Sequence, residues 1–141
     1  MKTKILFLCT GNSCRSQMAE GWTRHLLGDR IEPYSAGIEA HGMNPRAMQV
    51  MREAGADLAG HSSKTVDAVA EVPFDLVVTV CGHADEHCPP WIKQARVVHV
   101  GFDDPPKLAQ HATTEEEALD RYRRVRDEIR TFVAERLASL L

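Results

Sequence analysis

The sequence lacks three features: a broad excess of positive charge, a long apolar run, and any repeat, linker or low-complexity segment. The net charge of −3 and the isoelectric point near 6.1 argue against a nucleic-acid partner, because contact with a phosphate backbone requires a broad basic face. No apolar run approaches membrane-spanning length, and no cationic start precedes a long apolar core. We therefore expect a cytoplasmic protein that is neither exported nor anchored in a membrane.

Cysteine is also sparse, with four in 141 residues. In a reducing compartment, four cysteines favour catalytic, redox or metal-binding roles over a static disulfide framework. A chain of this length can bury about two-thirds of its unfolded surface in one core. We expect a single domain over residues 1–141 and a monomer.

Apolar periodicity predicts alternating strands and helices. The predicted strands are 4–8, 31–35, 74–80 and 96–100. The predicted helices are 16–27, 44–55 with Pro45 in the first turn, a short helix capped by Ser62 or Ser63, and a last helix from Thr113 or Thr114 almost to Leu141. The arginines at positions 121, 123, 124 and 126 are interpreted as the solvated face of that last helix. Such alternation is typical of a parallel sheet with right-handed crossovers.

Cys9 directly follows the first predicted strand and begins a short loop that ends at Arg15 and Ser16. A loop of this length can turn backbone N–H groups, the Arg15 guanidinium and the positive N-terminus of the next helix toward one tetrahedral anion. The positive electrostatic potential of these groups should also favour the thiolate form of Cys9, which is the nucleophilic form. The Ser16 hydroxyl can donate to that sulfur or cap the helix. The residues expected to surround the anion are Thr10, Gly11, Asn12, Ser13, Cys14 and Arg15.

Three residues that are distant in sequence should meet at the carboxyl edge of the sheet, where ligands bind in open parallel α/β folds. Cys9 ends the first predicted strand, Cys81 ends the third, and Asp104 follows the fourth. Pro105 restricts the backbone of Asp104, which suits a carboxyl group that donates a proton to a leaving oxygen. Asp103 is interpreted as a surface residue of the same loop.

The segment 81–90 permits three interpretations. His83 and His87 lie one helical turn apart between two cysteines, and this array could bind zinc. Alternatively, Cys81 and Cys88 could form a redox relay, or both could be inert thiols. If residues 82–88 were helical, the two cysteine Cα atoms would lie about 10 Å apart, beyond the limit of about 7 Å for a disulfide. A disulfide would then require this segment to unwind, which Gly82 and the Pro89–Pro90 pair make easier.

The loop Cys9–Ser16, the Tyr34–Gly37 segment, the Cys81 and Cys88 pair, and Asp103–Asp104–Pro105 together resemble the low-molecular-weight protein tyrosine phosphatase family, in particular its thioredoxin-coupled arsenate reductase branch. The resemblance covers nearly the whole chain. It implies a three-layer α/β sandwich around a central four-stranded parallel sheet.

The resemblance also implies the reaction. Cys9 would attack arsenate held by the loop and Arg15, and Asp104 would protonate the departing oxygen. Cys81 would then attack Cys9, releasing arsenite, and Cys88 would attack Cys81, leaving a redox-active Cys81–Cys88 disulfide for thioredoxin to reduce. A mycothiol- or glutaredoxin-coupled scheme stays open, and so do a phosphotyrosine phosphatase and a zinc-binding regulator. No tightly bound cofactor is expected, and a role for Cys14 stays undecided.

This chain differs from its relatives at two places. The phosphatase branch carries tyrosines after its Asp-Pro pair, whereas Pro106 and Lys107 follow here, so a wall for an aryl phosphate is missing. Potassium-stimulated relatives bind a cation behind the loop with residues matched here by Asn12, Glu20 and Ser35, and with an acidic residue where this chain has Lys64. We expect the Lys64 ammonium to replace potassium and to bond Glu20 and Asn12.

Overall fold

The computed structural model describes residues 2–141, apart from the side chain of Lys93. The sheet contains four parallel strands in the order β2-β1-β3-β4. The strands are β1 (Thr3–Cys9), β2 (Ile31–Gly37), β3 (Leu76–Thr79) and β4 (Arg96–His99). The helices are α1 (Arg15–Leu27), α2 (Pro45–Glu53), α3 (Gly82–Glu86), α4 (Pro105–Leu108) and α5 (Glu115–Glu135). Shorter 3₁₀ helices span Val66–Val69, Pro90–Gln94, Ala109–His111 and Leu137–Leu140. This confirms the predicted α/β fold class.

The central strand β1 is buried because its side chains from Ile5 to Cys9 are apolar, and strands that are covered on both faces form continuous apolar runs. β1 pairs with β2 on one side and with β3 on the other, with Leu8 opposite both Ala36 and Thr79. This register places Cys9 at the carboxyl edge of the sheet, beside the loops that follow β3 and β4.

The helices begin where the sequence signals them. Asn44 caps α2, and its side chain accepts the N–H groups of Arg46 and Ala47 at 3.0 and 3.1 Å. Thr114 caps α5, and its hydroxyl accepts the N–H of Glu117. Among residues 2–141, no helix is both long and apolar enough to cross a membrane.

Three predictions about helices are wrong. Residues Ser62 and Ser63 do not start a helix, because the turn at Val66–Val69 is a 3₁₀ helix preceded by Thr65. The last helix ends at Glu135 and continues only as a 3₁₀ turn. The arginines of α5 are not all on a solvated face, since Arg126 is 13% exposed and donates to the carbonyl of Val50 in α2.

Candidate active site

The loop after β1 is held with its carbonyl groups turned outward. The carbonyls of Cys9, Thr10, Gly11 and Ser13 accept hydrogen bonds, 2.8–3.1 Å long, from N–H groups within residues 38–44. In a trans peptide the N–H points opposite to the carbonyl, so the N–H groups of the following residues face the other side of the loop. That concave side is therefore lined by N–H donors suited to an oxyanion.

Asn12 fixes the shape of this loop. Its φ of 48° lies in the left-handed region, which asparagine adopts more readily than most residues, and the residue is fully buried. The Asn12 Oδ1 accepts from the backbone N–H of Lys64 and from the Gln17 amide, both at 2.9 Å. Its Nδ2 donates to the Ser16 hydroxyl at 2.9 Å. Every polar atom of the side chain thus braces the loop from behind.

Ser16 links this brace to the thiol. Its hydroxyl lies 2.9 Å from the Cys9 sulfur, and Cys9 is 5% exposed. Since Asn12 already donates to the Ser16 oxygen, the Ser16 proton is available to point at the sulfur. This arrangement allows Ser16 to donate to Cys9.

Arg15 is positioned by the segment that follows β4. Its guanidinium donates to the carbonyl of Phe102 at 2.8 Å and lies 3.8 Å from the carboxylate of Asp104. The Arg15 side chain is 16% exposed, whereas that of Asp104 is 42% exposed. Asp104 immediately precedes α4, with Pro105 as the first helical residue. A fixed cation and a more accessible carboxyl group therefore lie beside each other at the mouth of the loop.

Cys81 lies against the rim of the same loop. Its sulfur is 3.2 Å from the hydroxyl of Thr10, the residue after Cys9, and 3.4 Å from the backbone N–H of Ala84. Cys81 precedes α3 and is 7% exposed. The structure thus places the second thiol against the residue that follows Cys9, at the edge of the sheet where the two strands end.

Cys88 lies beyond the other end of α3 and is half-buried. All four cysteines are thiols. Residues 82–86 are helical, whereas the sequence analysis considered a helix over 82–88; at a rise of about 1.5 Å per residue, α3 spans about 7.5 Å between Cys81 and His87. Since a disulfide brings its two Cα atoms within about 7 Å, we expect α3 to unwind when Cys81 and Cys88 are bridged.

The remaining loop cysteine, Cys14, is buried, and its burial raises the pKa of its thiol. A buried neutral thiol is a poor nucleophile, since the thiolate is the reactive form. We find no chemical role for Cys14 in the geometry.

A polar cluster behind the loop contains residues that the sequence analysis missed. Glu20 accepts from the Ser35 hydroxyl at 2.6 Å and pairs with Arg24 at 2.8 Å. The side chain of His61, 9% exposed, contacts the Gln17 amide oxygen at 2.9 Å. The signal available in the sequence was the spacing of Gln17, Glu20 and Arg24, which places them on one face of α1. A pocket of about 500 Å³ opens beside this cluster.

The Lys64 ammonium lies at this cluster but makes different bonds from those expected. It donates to the carbonyl oxygens of Ser35 and Ser62 at 3.3 and 2.8 Å. The predicted bonds from the ammonium to the Glu20 and Asn12 side chains are wrong, because the backbone N–H of Lys64, not its ammonium, reaches Asn12. The predicted cation-site residues Asn12, Glu20, Ser35 and Lys64 are nevertheless neighbours.

The zinc interpretation finds no support in the geometry. Within residues 2–141, no group of three or more histidine, cysteine, aspartate or glutamate side chains is arranged to hold a metal ion. The rings of His83 and His87 stack with their centroids 4.1 Å apart, and the Nδ1 of His87 contacts the carbonyl of His83. These histidines interact with each other on the surface of α3.

Together, a thiol on a loop between strand and helix, inward N–H groups, a fixed guanidinium and a neighbouring carboxyl group define a cysteine-dependent enzyme of the phosphatase type. The model of the low molecular weight phosphotyrosine protein phosphatase family matches residues 4–141. The chain belongs to that family.

The individual relatives to which the chain is similar include arsenate reductases. The chain is 54% identical over 128 residues to an arsenate reductase of Halalkalibacterium halodurans, covering 91% of this chain and 90% of the relative. It is 52% identical over 130 residues to an arsenate reductase of Bacillus subtilis, covering 92% and 91%. A solved arsenate reductase in a phosphate-binding state has 31% identity and a TM-score of 0.80, with both chains fully covered.

Proposed function

We propose that this protein reduces arsenate to arsenite through a relay of Cys9, Cys81 and Cys88. The observation that carries the proposal is the contact of 3.2 Å between Thr10 and the Cys81 sulfur, because it places a second thiol at the rim of the anion loop. A phosphatase needs only the first thiol. The two curated relatives above, named arsenate reductases, support the same reaction.

In the first step, the Cys9 thiolate attacks arsenate, which is held by the loop N–H groups and Arg15. Asp104 gives a proton to the departing oxygen, so water leaves and a bond forms between Cys9 and arsenic(V). Phosphate has the same tetrahedral shape as arsenate, and the solved relative in its phosphate-binding state supports the binding of such an anion by this protein.

In the second step, the Cys81 thiolate attacks the Cys9 sulfur. A Cys9–Cys81 disulfide forms, and the electron pair of the sulfur–arsenic bond goes to arsenic, which leaves as arsenite in the +3 state. The Thr10 hydroxyl and the Ala84 N–H lie 3.2 and 3.4 Å from the Cys81 sulfur and hold it at the rim of the loop for this attack.

In the third step, the Cys88 thiolate attacks Cys81 after α3 unwinds. The Cys9 thiolate is released and a Cys81–Cys88 disulfide remains. We propose thioredoxin as the reductant of this disulfide in the cytoplasm, as the resemblance to the thioredoxin-coupled branch implies. Cys88 lies just beyond a short helix whose residues are mostly exposed, which leaves the disulfide near the surface. Two thioredoxin thiols would become one disulfide, which restores both cysteines.

A single turnover without reductant tests this scheme. Fully reduced protein is mixed with arsenate, and arsenite and lost thiols are counted. We expect one arsenite and two lost thiols per chain, with the disulfide mapped by mass spectrometry to Cys81 and Cys88. Cys88→Ser should accumulate the Cys9–Cys81 disulfide instead. Undiminished arsenite formation by Cys81→Ser would refute the relay.

The reductant is tested by multiple turnovers with thioredoxin, glutaredoxin plus glutathione, or mycothiol at matched thiol concentrations. We expect sustained turnover with thioredoxin. If only another system sustains turnover, the assignment of thioredoxin is wrong, although the single-turnover result is unaffected.

We also propose a slow phosphatase activity on small aryl phosphates. The observation that favours it is the placement of Cys9, Arg15 and Asp104 around one anion site in a member of the phosphatase family. The activity should be weak because Pro106 and Lys107 provide no aromatic wall for the substrate.

A further inference from the structure

Thr79 connects the sheet to the helix that separates Cys81 from Cys88. It is the last residue of β3 and is fully buried. Its hydroxyl lies 3.1 Å from the carboxylate of Asp85 in α3 and 2.8 Å from Nδ1 of His99, the last residue of β4. One hydroxyl therefore joins two strand ends to α3.

The direction of these hydrogen bonds is fixed by their chemistry. An ionised Asp85 only accepts, so the Thr79 hydroxyl uses its single proton to donate to Asp85. Its oxygen must then accept from His99, whose Nδ1 carries a proton. The chain of donors runs from His99 through Thr79 to Asp85 and ends on a carboxylate.

The rest of α3 has little to hold it. Ala84 is the buried residue of this helix, whereas Gly82, His83, Asp85 and Glu86 are exposed. Apart from neighbouring residues and the helix's own backbone, no atom lies within 4 Å of a Cβ position at Gly82. The start of α3 is capped by the Cys81 sulfur, which accepts the Ala84 N–H at 3.4 Å. The hydrogen bond to Asp85 is thus a principal attachment of α3 to the sheet.

We propose that Thr79, Asp85 and His99 form a latch that holds α3 helical while Cys81 and Cys88 are thiols. The latch must open when the disulfide forms, since a helical α3 keeps the two sulfurs apart. It therefore stabilises the dithiol and raises the reduction potential of the pair. This inference rests on the proposed relay and deepens it: Thr79 and His99 are positioning residues that make the disulfide easier for its reductant to open.

The test measures the reduction potential of the pair in full-length protein carrying Cys9→Ser, which leaves Cys81 and Cys88 as the relay thiols. The protein is equilibrated with mixtures of oxidised and reduced glutathione. In this exchange one protein dithiol and one glutathione disulfide give one protein disulfide and two glutathione thiols. Trapped samples are quantified by mass spectrometry.

Thr79→Val removes the hydroxyl and preserves the shape of the side chain. We expect the equilibrium to shift about tenfold toward the Cys81–Cys88 disulfide, which corresponds to a potential about 30 mV more negative. Thr79→Ser keeps the hydroxyl and should retain the parent potential. A loss of stability shared by both redox forms would leave the potential unchanged, so the measurement separates a latch from a purely structural role.

Asp85→Asn tests the other end of the latch at an exposed position, where folding is not at risk. It should shift the equilibrium in the same direction by about threefold or more, because a neutral amide accepts a weaker hydrogen bond than a carboxylate. Glu86→Gln is the matched control: it removes the same charge from the neighbouring residue of α3, whose side chain makes no hydrogen bond or ion pair within residues 2–141.

The results separate the latch from the relay. Unchanged potentials for Thr79→Val and Asp85→Asn would overturn the latch, and so would an equal shift in Glu86→Gln, which would indicate a charge effect alone. If the parent forms no Cys81–Cys88 disulfide at any glutathione ratio, the relay itself is wrong and the latch has no function.

Discussion

The anion loop and the relay segment, defined here as residues 9–16 and 81–88, lie at the same edge of the sheet but are held in different ways. Asn12 and Ser16 of the loop are fully buried, and outward carbonyls of the loop are bonded to residues 38–44. The relay segment contains a five-residue helix, four of whose residues are exposed. Two parts of one site thus differ in how firmly the fold constrains them.

This difference follows from the two kinds of chemistry. Stabilising charge on an oxyanion requires donors that are fixed before the substrate arrives, since their reorganisation would cost free energy during the reaction. Passing a disulfide from Cys9 to Cys88 requires sulfurs to move over distances longer than a disulfide spans. Segments that move are drawn from the least stable part of a fold, and a short exposed helix meets that need.

The largest expected effect comes from replacing the thiols of the two regions one at a time. Cys9→Ser should abolish hydrolysis of a small aryl phosphate, a loss of about 10³-fold or more, because an alcohol is not ionised near neutral pH. Cys81→Ser and Cys88→Ser should retain most of that activity, since the relay segment takes no part in phosphate transfer. Initial rates of phosphate release measure all three variants.

If Cys81→Ser and Cys88→Ser both lost the phosphatase activity while their circular dichroism and melting temperature matched the parent, the division into an anion-attacking thiol and two relay thiols would be wrong.

A pair of glycine substitutions tests the difference in constraint directly. A Cβ added at Gly37 would lie 2.2 Å from the carbonyl oxygen of Glu39 and 2.8 Å from backbone atoms of Thr10 and Asn12. Backbone atoms cannot move aside cheaply, so Gly37→Ala should lower the free energy of unfolding by about 1–3 kcal/mol and reduce arsenate turnover. Urea denaturation and steady-state rates measure the two effects.

Gly82→Ala makes the same chemical change in the relay segment, where no atom lies near the added Cβ. It should raise the free energy of unfolding by up to about 1 kcal/mol through the smaller entropy of the unfolded chain. By stabilising α3 it should also slow the transfer from Cys9–Cys81 to Cys81–Cys88. Equal destabilisation by both substitutions would contradict the contrast between the regions.

Sequence patterns predicted the anion loop more fully than the relay segment. The loop residues are contiguous, and Cys9, Arg15 and Ser16 carry their chemistry in their spacing, so their neighbourhood could be read without coordinates. The strand order brought Cys81 and Asp104 to the same edge through general rules of parallel sheets. Long buried strands and well-capped helices leave strong periodic signals.

The features that sequence reasoning missed depend on contacts between distant segments. Gln17 and His61 meet only after the chain folds, and Arg126 is buried because α2 packs beside it. The Lys64 ammonium turns to backbone carbonyls, and a single sequence carries no pattern for such acceptors. The helix bounds in 62–69 also depend on tertiary context, since a 3₁₀ turn is too short to leave a periodic signal.

Lys64 lies behind the anion loop, and its replacement tests how the loop is braced there. We propose that its ammonium takes the place of a potassium ion, because it donates to two carbonyl oxygens beside Glu20 and Asn12. The melting temperature and the Michaelis constant for arsenate should then be the same in sodium and potassium buffers of equal ionic strength. Lys64→Asp should make both sensitive to potassium, with a rise in melting temperature of about 2–4 °C.

Lys107→Asp is the matched control for Lys64→Asp, because it reverses the same charge at an exposed position in α4. Its melting temperature should not distinguish sodium from potassium. A potassium-specific rise in melting temperature for the parent protein would show that a cation site persists and that Lys64 does not fill it.

The smallest expected effect concerns His61 behind the loop. The side-chain amide nitrogen of Gln17 lies within 3.2 Å of three oxygens: the backbone carbonyl and Oδ1 of Asn12, and the backbone carbonyl of Ser62. The Gln17 amide oxygen must therefore accept from Nδ1 of His61. Arg24 donates to Nε2 at 2.9 Å, so the ring is neutral with its proton on Nδ1. Burial lowers the pKa of His61 below its usual 6.5, and the positive charges of Arg24 and Lys64 act in the same direction, whereas Glu20 and Asp57 oppose them.

The sign of the resulting pH dependence follows from proton linkage. Below pH 6.5 the unfolded chain protonates His61 and the folded chain resists, so the fold loses stability as the pH falls. The slope must stay below the one-proton limit of about 1.4 kcal/mol per pH unit, because a single histidine binds at most one proton. His61→Gln should remove this component, so the stability difference between parent and variant should shrink from pH 7 to pH 5, as measured by urea denaturation.

His111→Gln, at an exposed histidine, should keep a constant difference from the parent over the same range. A difference for His61→Gln that widened toward pH 5 would mean that the ring is charged in the fold and that the brace behind the anion loop is an ion pair with Glu20.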